Sequence, residues 1–131
     1  MFIINNWQFS NYNNLIKLCK KNHKVISFYD YRKYKLNNYN SKPWLILRHD
    51  VELNLERALE LAKIDYRNKI GSTFFFLFSS EYNIFLEKNH KIIKEIIACK
   101  RDIGIHYDQS VYEKENKHYS TILRNKIKLF E

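Results

Sequence analysis

The chain has 131 residues, 45% of them hydrophobic, which is enough for one ordinary globular core without disulfides or structural metals. Its formal net charge is +9, but the basic residues are scattered along the chain, which disfavours a nucleic-acid-binding protein. The longest apolar run, residues 74–78, is far shorter than the roughly 20 residues that cross a bilayer, and no targeting segment is recognisable. We therefore expect a cytoplasmic protein with no membrane partner.

The first part of the chain, residues 1–43, predicts a leading α/β segment. Apolar residues at helical spacing over residues 12–21 are followed by a short strand at 25–28 and by a polar, irregular or weakly helical stretch that Pro43 closes. A segment of this size buries too little surface to fold alone. We expect it to pack on the core formed by residues 44–131.

From residue 44 onward, strand-like and helix-like patterns alternate. The predicted strands are 44–47, 73–78 and 103–106, and the predicted helices are 55–67, 90–100 and 112–130. The continuous apolar run 44–47 is typical of a strand buried on both faces, and Asn54 is a suitable N-cap for the first helix. This order predicts an α/β fold with a parallel β-α-β-α-β core.

Charged residues follow the first and third of these strands. The sequence Arg48-His49-Asp50-Val51-Glu52 comes after the first strand, and His106-Tyr107-Asp108 ends the third. Because the carboxyl ends of parallel strands meet at one edge of the sheet, where ligands bind, we expect one polar site there. Imidazole and carboxylate groups are ligands of zinc and other divalent transition metals, and a spare carboxylate could act as a general base.

Several of these residues also have a purely structural interpretation. Asp50 and Glu52 could cap the helix that follows them, and His49 could be a hydrogen-bonded structural histidine. Asp108 could simply begin the next turn. Arg48 could pair with one of the carboxylates or bind an anionic group of a substrate. Both interpretations stay open at this point.

The motif Arg48-His49-Asp50-Val51-Glu52 resembles the first motif of the NodB-type polysaccharide deacetylases, in particular a divergent branch in which it reads Arg-His-Asp-Val-Asp. The similarity continues through Gly71-Ser72-Thr73-Phe74-Phe75 and ends with Asp102-Ile103-Gly104-Ile105-His106-Tyr107-Asp108. It covers about half of the chain. The resemblance implies a distorted (β/α) barrel, of which residues 44–131 would form the N-terminal part.

Members of this family remove acetyl groups from sugars with the help of a bound metal. By resemblance, Asp50 would be the general base, and Glu52 and His106 would bind a divalent metal such as zinc. The family's second metal-binding histidine corresponds to Ser110 in this chain, so Asp108 or His49 would have to complete the metal site. The expected substrate is an acetylated sugar or polysaccharide precursor.

The chain is shorter than the domains of this family, which implies a barrel truncated at its C-terminus. A partial barrel leaves an unpaired strand edge, so self-association through that edge is also expected. Three functions therefore compete. The first is a metal-dependent deacetylase, the second is a non-catalytic remnant or carbohydrate-binding module, and the third and weakest is a basic nucleic-acid-binding protein.

Overall fold

The computed structural model describes residues 8–35, 42–108, 110 and 119–130. In this part of the chain, helices and strands follow in the order α1 (Phe9–Asn22), β1 (Lys24–Ile26), α2 (Phe28–Lys35), β2 (Trp44–Ile46), β3 (Arg48–Val51), α3 (Leu55–Arg67), β4 (Thr73–Leu77), α4 (Glu87–Ala98), β5 (Asp102–His106) and α5 (Tyr119–Phe130). The predicted leading helix and strand correspond to α1 and β1. Residues 36–41 and 111–118, which belong to the predicted polar stretch and to the last predicted helix, lie outside the described residues.

All the strand pairs are parallel, which confirms the α/β class. β1 pairs with β2, and β3, β4 and β5 form a second sheet in that order. Helix α3 connects β3 to β4, and α4 connects β4 to β5, so each neighbouring pair in the second sheet is a β-α-β unit. Within the described residues the strands form these two small sheets and no closed barrel.

The two sheets are joined at Leu47. Its N–H donates to the Ile26 carbonyl at 2.9 Å, and its own carbonyl accepts from the Thr73 N–H at 3.1 Å. The chain therefore leaves the β1 pairing and enters the β4 pairing at this residue. The expectation of a strand that ends at residue 47 and is buried on both faces is wrong. Pairing continues to Val51, and none of Trp44, Leu45 and Ile46 is fully buried, with Ile46 36% exposed.

The main core lies between the second sheet and helices α3 and α4. Asn54 caps α3 as predicted, since its side chain accepts from the Arg57 N–H at 2.8 Å. The buried residues of this core are Val51, Leu55, Ala58, Leu59, Ala62, Phe74, Phe76, Ile84, Ile93 and Ile96. Phe74 and Phe76 have no exposed surface, and truncation of either to alanine is expected to cost about 3–5 kcal/mol.

A second apolar cluster holds the beginning of the chain against the rest. Tyr12 and Ile16 from α1 pack with Val25 of β1 and with Ile64 and Ile70, which lie in α3 and just after it. Residues on both sides of position 44 thus share one core. No helix in the described segments combines the length and the apolar character that a membrane crossing requires.

Two glycines allow close packing that any side chain would disturb, and they differ in what surrounds them. A Cβ at Gly71 would lie 2.5 Å from the backbone nitrogen of Ser27, whereas a Cβ at Gly104 would lie 2.6 Å from the Phe75 ring. A ring can rotate away, but backbone cannot. We predict that Gly71→Ala lowers the free energy of unfolding by about 3 kcal/mol and Gly104→Ala by about 1 kcal/mol, measured by urea denaturation. Equal losses would contradict this packing.

Candidate functional site

The strand register divides the residues of the second sheet between two faces. Side chains alternate along each strand, so Arg48 and Asp50 of β3 lie on the same face as Phe75 of β4 and Gly104 and His106 of β5. We call this the polar face. The opposite face carries His49, Val51, Phe74 and Phe76 and is covered by α3 and α4. Neighbouring residues in the Arg48–Glu52 motif therefore have different surroundings.

Glu52 and His106 lie close together at the carboxyl end of the polar face. The distance from Glu52 Oε1 to His106 Nδ1 is 3.8 Å, with the two side chains 56% and 22% exposed. His106 Nδ1 is buried and has no hydrogen-bond partner in the described part of the chain. A buried polar atom of this kind requires an explanation, because leaving it unpaired costs about 1–3 kcal/mol.

Asp50 is held by Arg48 on the same face. Arg48 Nε donates to Asp50 Oδ1 at 2.6 Å, and the Arg48 guanidinium lies 4.6 Å from the centre of the Phe75 ring. The ring fits there because Gly104, on the next strand, has no side chain. Arg48 therefore orients one carboxylate oxygen of Asp50 and leaves the other available. The bound guanidinium is oriented by two contacts, an ion pair and a cation–π contact.

His49 lies on the covered face, away from Glu52 and His106. Its Nε2 is 3.1 Å from Asp65 Oδ2 and 3.1 Å from the Tyr12 hydroxyl, and its ring stacks on Phe74 at 4.4 Å between centroids. Tyr12 donates its only proton to Asp65 Oδ1 at 2.6 Å. His49 Nε2 must therefore carry the proton that it shares with Asp65 Oδ2. This arrangement anchors β3 to α1 and α3.

Asp108 is engaged locally. Its Oδ1 accepts hydrogen bonds from the backbone N–H of Ser110 at 3.0 Å and from the Ser110 hydroxyl at 2.6 Å, as in a turn closed by an aspartate. Ser110 is the residue that the resemblance described above aligns with the second metal-binding histidine of the NodB-type deacetylases. Among the described residues, no three or more histidine, cysteine, aspartate or glutamate side chains converge as a metal site. Of the four expected ligands, Glu52 and His106 are the two that lie together.

Two residues that the sequence did not single out hold the carboxyl end of β3. The Tyr82 hydroxyl donates to the Val51 carbonyl and accepts from the Leu77 N–H at 3.0 Å, and the Ser80 hydroxyl donates to the Glu52 carbonyl. Burial raises the pKa of the Tyr82 hydroxyl, so it remains a donor. Nothing in the local sequence marks these loop residues.

Asp65 is the third residue that the sequence analysis missed, although a signal was present. It follows Ala62 by three positions and so falls on the apolar stripe of α3, where it is completely buried. A carboxylate at such a position needs partners, and Tyr12 and His49 supply them. An acidic residue on the apolar face of a predicted helix thus indicates a buried polar cluster between that helix and the sheet.

Comparison of the chain with protein-family models, with curated proteins and with solved structures gives no match.

The Tyr12–Asp65–His49 cluster gives a pH-dependent prediction. Burial, reinforced by the neighbouring Asp65 carboxylate, raises the pKa of the Tyr12 hydroxyl far above the ordinary tyrosine value of about 10. The folded protein keeps this proton when the unfolded chain has lost it. The stabilisation is therefore complete below about pH 10 and declines as the pH rises further.

We expect Tyr12→Phe to lower the free energy of unfolding by about 1–3 kcal/mol at neutral pH, because Asp65 loses a buried hydrogen bond. The decline in stability above about pH 10 should also become shallower than in the wild type. Urea denaturation at a series of pH values measures both effects. Tyr66→Phe is the matched control, because Tyr66 is 49% exposed and should change neither quantity. An unchanged alkaline slope in Tyr12→Phe would exclude Tyr12 as its origin.

Proposed function

We propose that this chain is a metal-dependent hydrolase of the deacetylase type, which removes acetyl groups from sugars. The observation that carries the proposal is the pairing of Glu52 with the buried, unbonded Nδ1 of His106, beside Asp50 on the same face. The pair lies at the carboxyl end of parallel strands, where α/β proteins bind their ligands. The resemblance of the two motifs to NodB-type deacetylases supports the same reaction.

The Glu52–His106 pair fits a divalent metal in its chemistry and spacing. At 3.8 Å the two atoms are too far apart for a hydrogen bond. Zinc bonds to imidazole nitrogen at about 2.0–2.1 Å and to carboxylate oxygen at about 2.0–2.2 Å, so both atoms can reach one ion. Glu52 and His106 are the residues that would hold it. A bound divalent ion lowers the pKa of water and polarises a carbonyl oxygen.

Asp50 supplies the base in this proposal. Hydrolysis of an N-acetyl group adds water to the carbonyl carbon, breaks the carbon–nitrogen bond and releases acetate and an amine. Asp50 accepts the proton that the water loses, on the oxygen that Arg48 does not occupy, and returns it to the leaving nitrogen as the carbon–nitrogen bond breaks. Arg48, for which the sequence left open a carboxylate partner or an anionic group of a substrate, acts in this proposal as the positioning residue for Asp50. Ser80 and Tyr82 fix the backbone that carries Glu52.

A non-catalytic, sugar-binding remnant is the second candidate. It is favoured by the fact that the described residues bring together two metal donors, where a structural or catalytic zinc site uses three or four protein ligands. The two candidates differ in one measurable property. A remnant would bind acetylated sugars without any dependence on metal.

The first test of the proposal is stabilisation by metal. We predict that zinc or cobalt raises the free energy of unfolding by about 2.7 kcal/mol at a hundredfold excess over its Kd, measured by thermal or urea denaturation. His106→Ala should abolish the effect. His90→Ala is the matched control, because His90 lies exposed on α4 and should leave the shift intact. A wild-type protein that shows no metal-dependent shift would exclude the metal site.

The second test is turnover. We predict that the zinc-loaded protein releases acetate from oligomers of N-acetylglucosamine, and that Asp50→Asn lowers the rate by about 10²–10⁴-fold, the usual contribution of a general base. Zinc-dependent stabilisation should persist in Asp50→Asn, since Asp50 is not one of the proposed ligands. Glu56→Gln, an exposed change in the first turn of α3, is the control. Binding of the oligomers with no acetate release would favour the remnant.

A further inference from the structure

The opposite edge of the sheets, where the helices end and the strands begin, contains two adjacent cavities. One has a volume of about 510 Å³ and the other of about 600 Å³, and they share Asp30, Lys69, Ile70 and Gly71 in their walls. Volumes of several hundred Å³ are typical of sites for small molecules. This edge is not part of the Glu52–His106 site, which lies at the other end of the strands.

The two cavities are strongly basic. Their walls contain seven cationic and two acidic side chains, a formal excess of five positive charges; the cationic residues are Lys20, Lys24, Lys42, Arg67, Lys69, Lys100 and Arg101, and the acidic ones are Asp30 and Asp102. More than half of the net charge of +9 is thus found at this edge.

Helix ends explain only a part of this concentration of charge. The C-termini of α1, α3 and α4 lie here, and each carries a partial charge of about −0.5. Lys20 and Lys42 do donate to carbonyls at or just beyond such helix ends, those of Asn68 and Lys21. Three helix ends offset about 1.5 of the five excess charges. A substantial positive surplus remains for an external anion.

Two of the lysines are held in a backbone conformation that lysine rarely adopts. Lys69 has φ of 54° and Lys100 has φ of 58°, in the left-handed region that favours glycine or asparagine. Each lies two residues after the end of a helix, α3 or α4, and both line the 600 Å³ cavity. Glycine would be less strained at both positions but would remove the charge.

Arg101 is a buried cation in the same wall. It is 8% exposed, and its guanidinium donates to the carbonyls of Cys99 and Ile70 and to the Ser72 hydroxyl. The described residues provide no carboxylate within ion-pair distance of it. A buried charge normally has a partner of opposite sign. The 600 Å³ cavity, which Arg101 lines, is where such a partner can bind.

We propose that this basic edge binds a small ligand that carries at least two phosphoryl groups. Arginine and lysine are the side chains that recognise phosphate, by charge-assisted hydrogen bonds. The surplus charge exceeds what one phosphate neutralises, and concave cavities fit a compact diphosphate better than the extended backbone of a nucleic acid. The site is independent of the proposed hydrolase activity.

The test uses inorganic pyrophosphate as the probe, on the full chain in EDTA so that no metal takes part. We expect pyrophosphate to raise the melting temperature with saturation, beyond the effect of sodium chloride at equal ionic strength. Calorimetric titration gives the Kd. The Lys69→Gln/Lys100→Gln double variant should bind at least about tenfold more weakly, since two charge-assisted hydrogen bonds are lost. The Lys88→Gln/Lys94→Gln variant makes the same change of charge on α4, outside both cavities, and should change the Kd less than about twofold.

Two further variants separate this result from misfolding and from the hydrolase site. Lys69→Gly/Lys100→Gly should lose pyrophosphate binding while keeping or raising the melting temperature, because glycine relieves both left-handed positions. His106→Ala should bind pyrophosphate like the wild type. A nucleoside diphosphate that binds no tighter than pyrophosphate identifies the free anion as the ligand, whereas tighter binding identifies an organic diphosphate.

The proposal fails if sodium chloride reproduces the whole effect of pyrophosphate. It also fails if the Lys88/Lys94 control loses as much affinity as the Lys69/Lys100 variant. Binding of duplex DNA or RNA that pyrophosphate does not displace would replace the small-ligand site with a nucleic-acid interface.

Discussion

The two-residue repeat of the parallel strands is the constraint on which the rest of this structure depends. Helices α3 and α4 cover one face of the β3–β4–β5 sheet, so every second residue of each strand must be apolar or internally paired. The remaining residues are free to be charged. A shift of β3 by one residue would bury Asp50 and expose Val51. The candidate site and the core are therefore fixed by the same pairing.

His49 and Asp50 are adjacent in one motif, but because of this repeat they lie on opposite faces of the sheet and have different partners. His49 donates to Asp65, which Tyr12 also binds, and so connects β3 to α1 and α3 behind the sheet. Asp50, one residue later, lies in front of the sheet with Arg48. Anchoring the strand from behind limits the movement of the carboxylate in front. Rigid support of this kind is what the general base proposed for Asp50 would require.

Features that depend on neighbouring residues in the sequence were predicted well. Features that depend on contacts between distant residues were not predicted. Helix α3 begins at Leu55 and ends at Arg67 as expected, because its apolar spacing and its Asn54 cap are both local. The change of pairing partner at Leu47 was not predicted, because it depends on hydrogen bonds to Ile26 and Thr73. The partners of His49 lie 16 and 37 residues away, on elements whose arrangement no single motif reveals. The topological rule for parallel sheets does, however, lead to Glu52 and His106 at one edge.

The unpaired atoms of the polar face lower the free energy of unfolding, and the apolar packing on the covered face compensates for that loss. His106 Nδ1 and Asp102 Oδ2 are buried without hydrogen-bond partners in the described segments, and each such atom costs about 1–3 kcal/mol. Both atoms belong to residues of β5. On the neighbouring strand β4, Phe76 lies on the opposite, covered face and has no exposed surface. Burial of Phe74 and Phe76 against α3 and α4 adds more to the free energy of unfolding than the two unpaired atoms subtract from it. A sheet with one strongly apolar face can therefore keep unpaired polar atoms such as His106 Nδ1 on the other face.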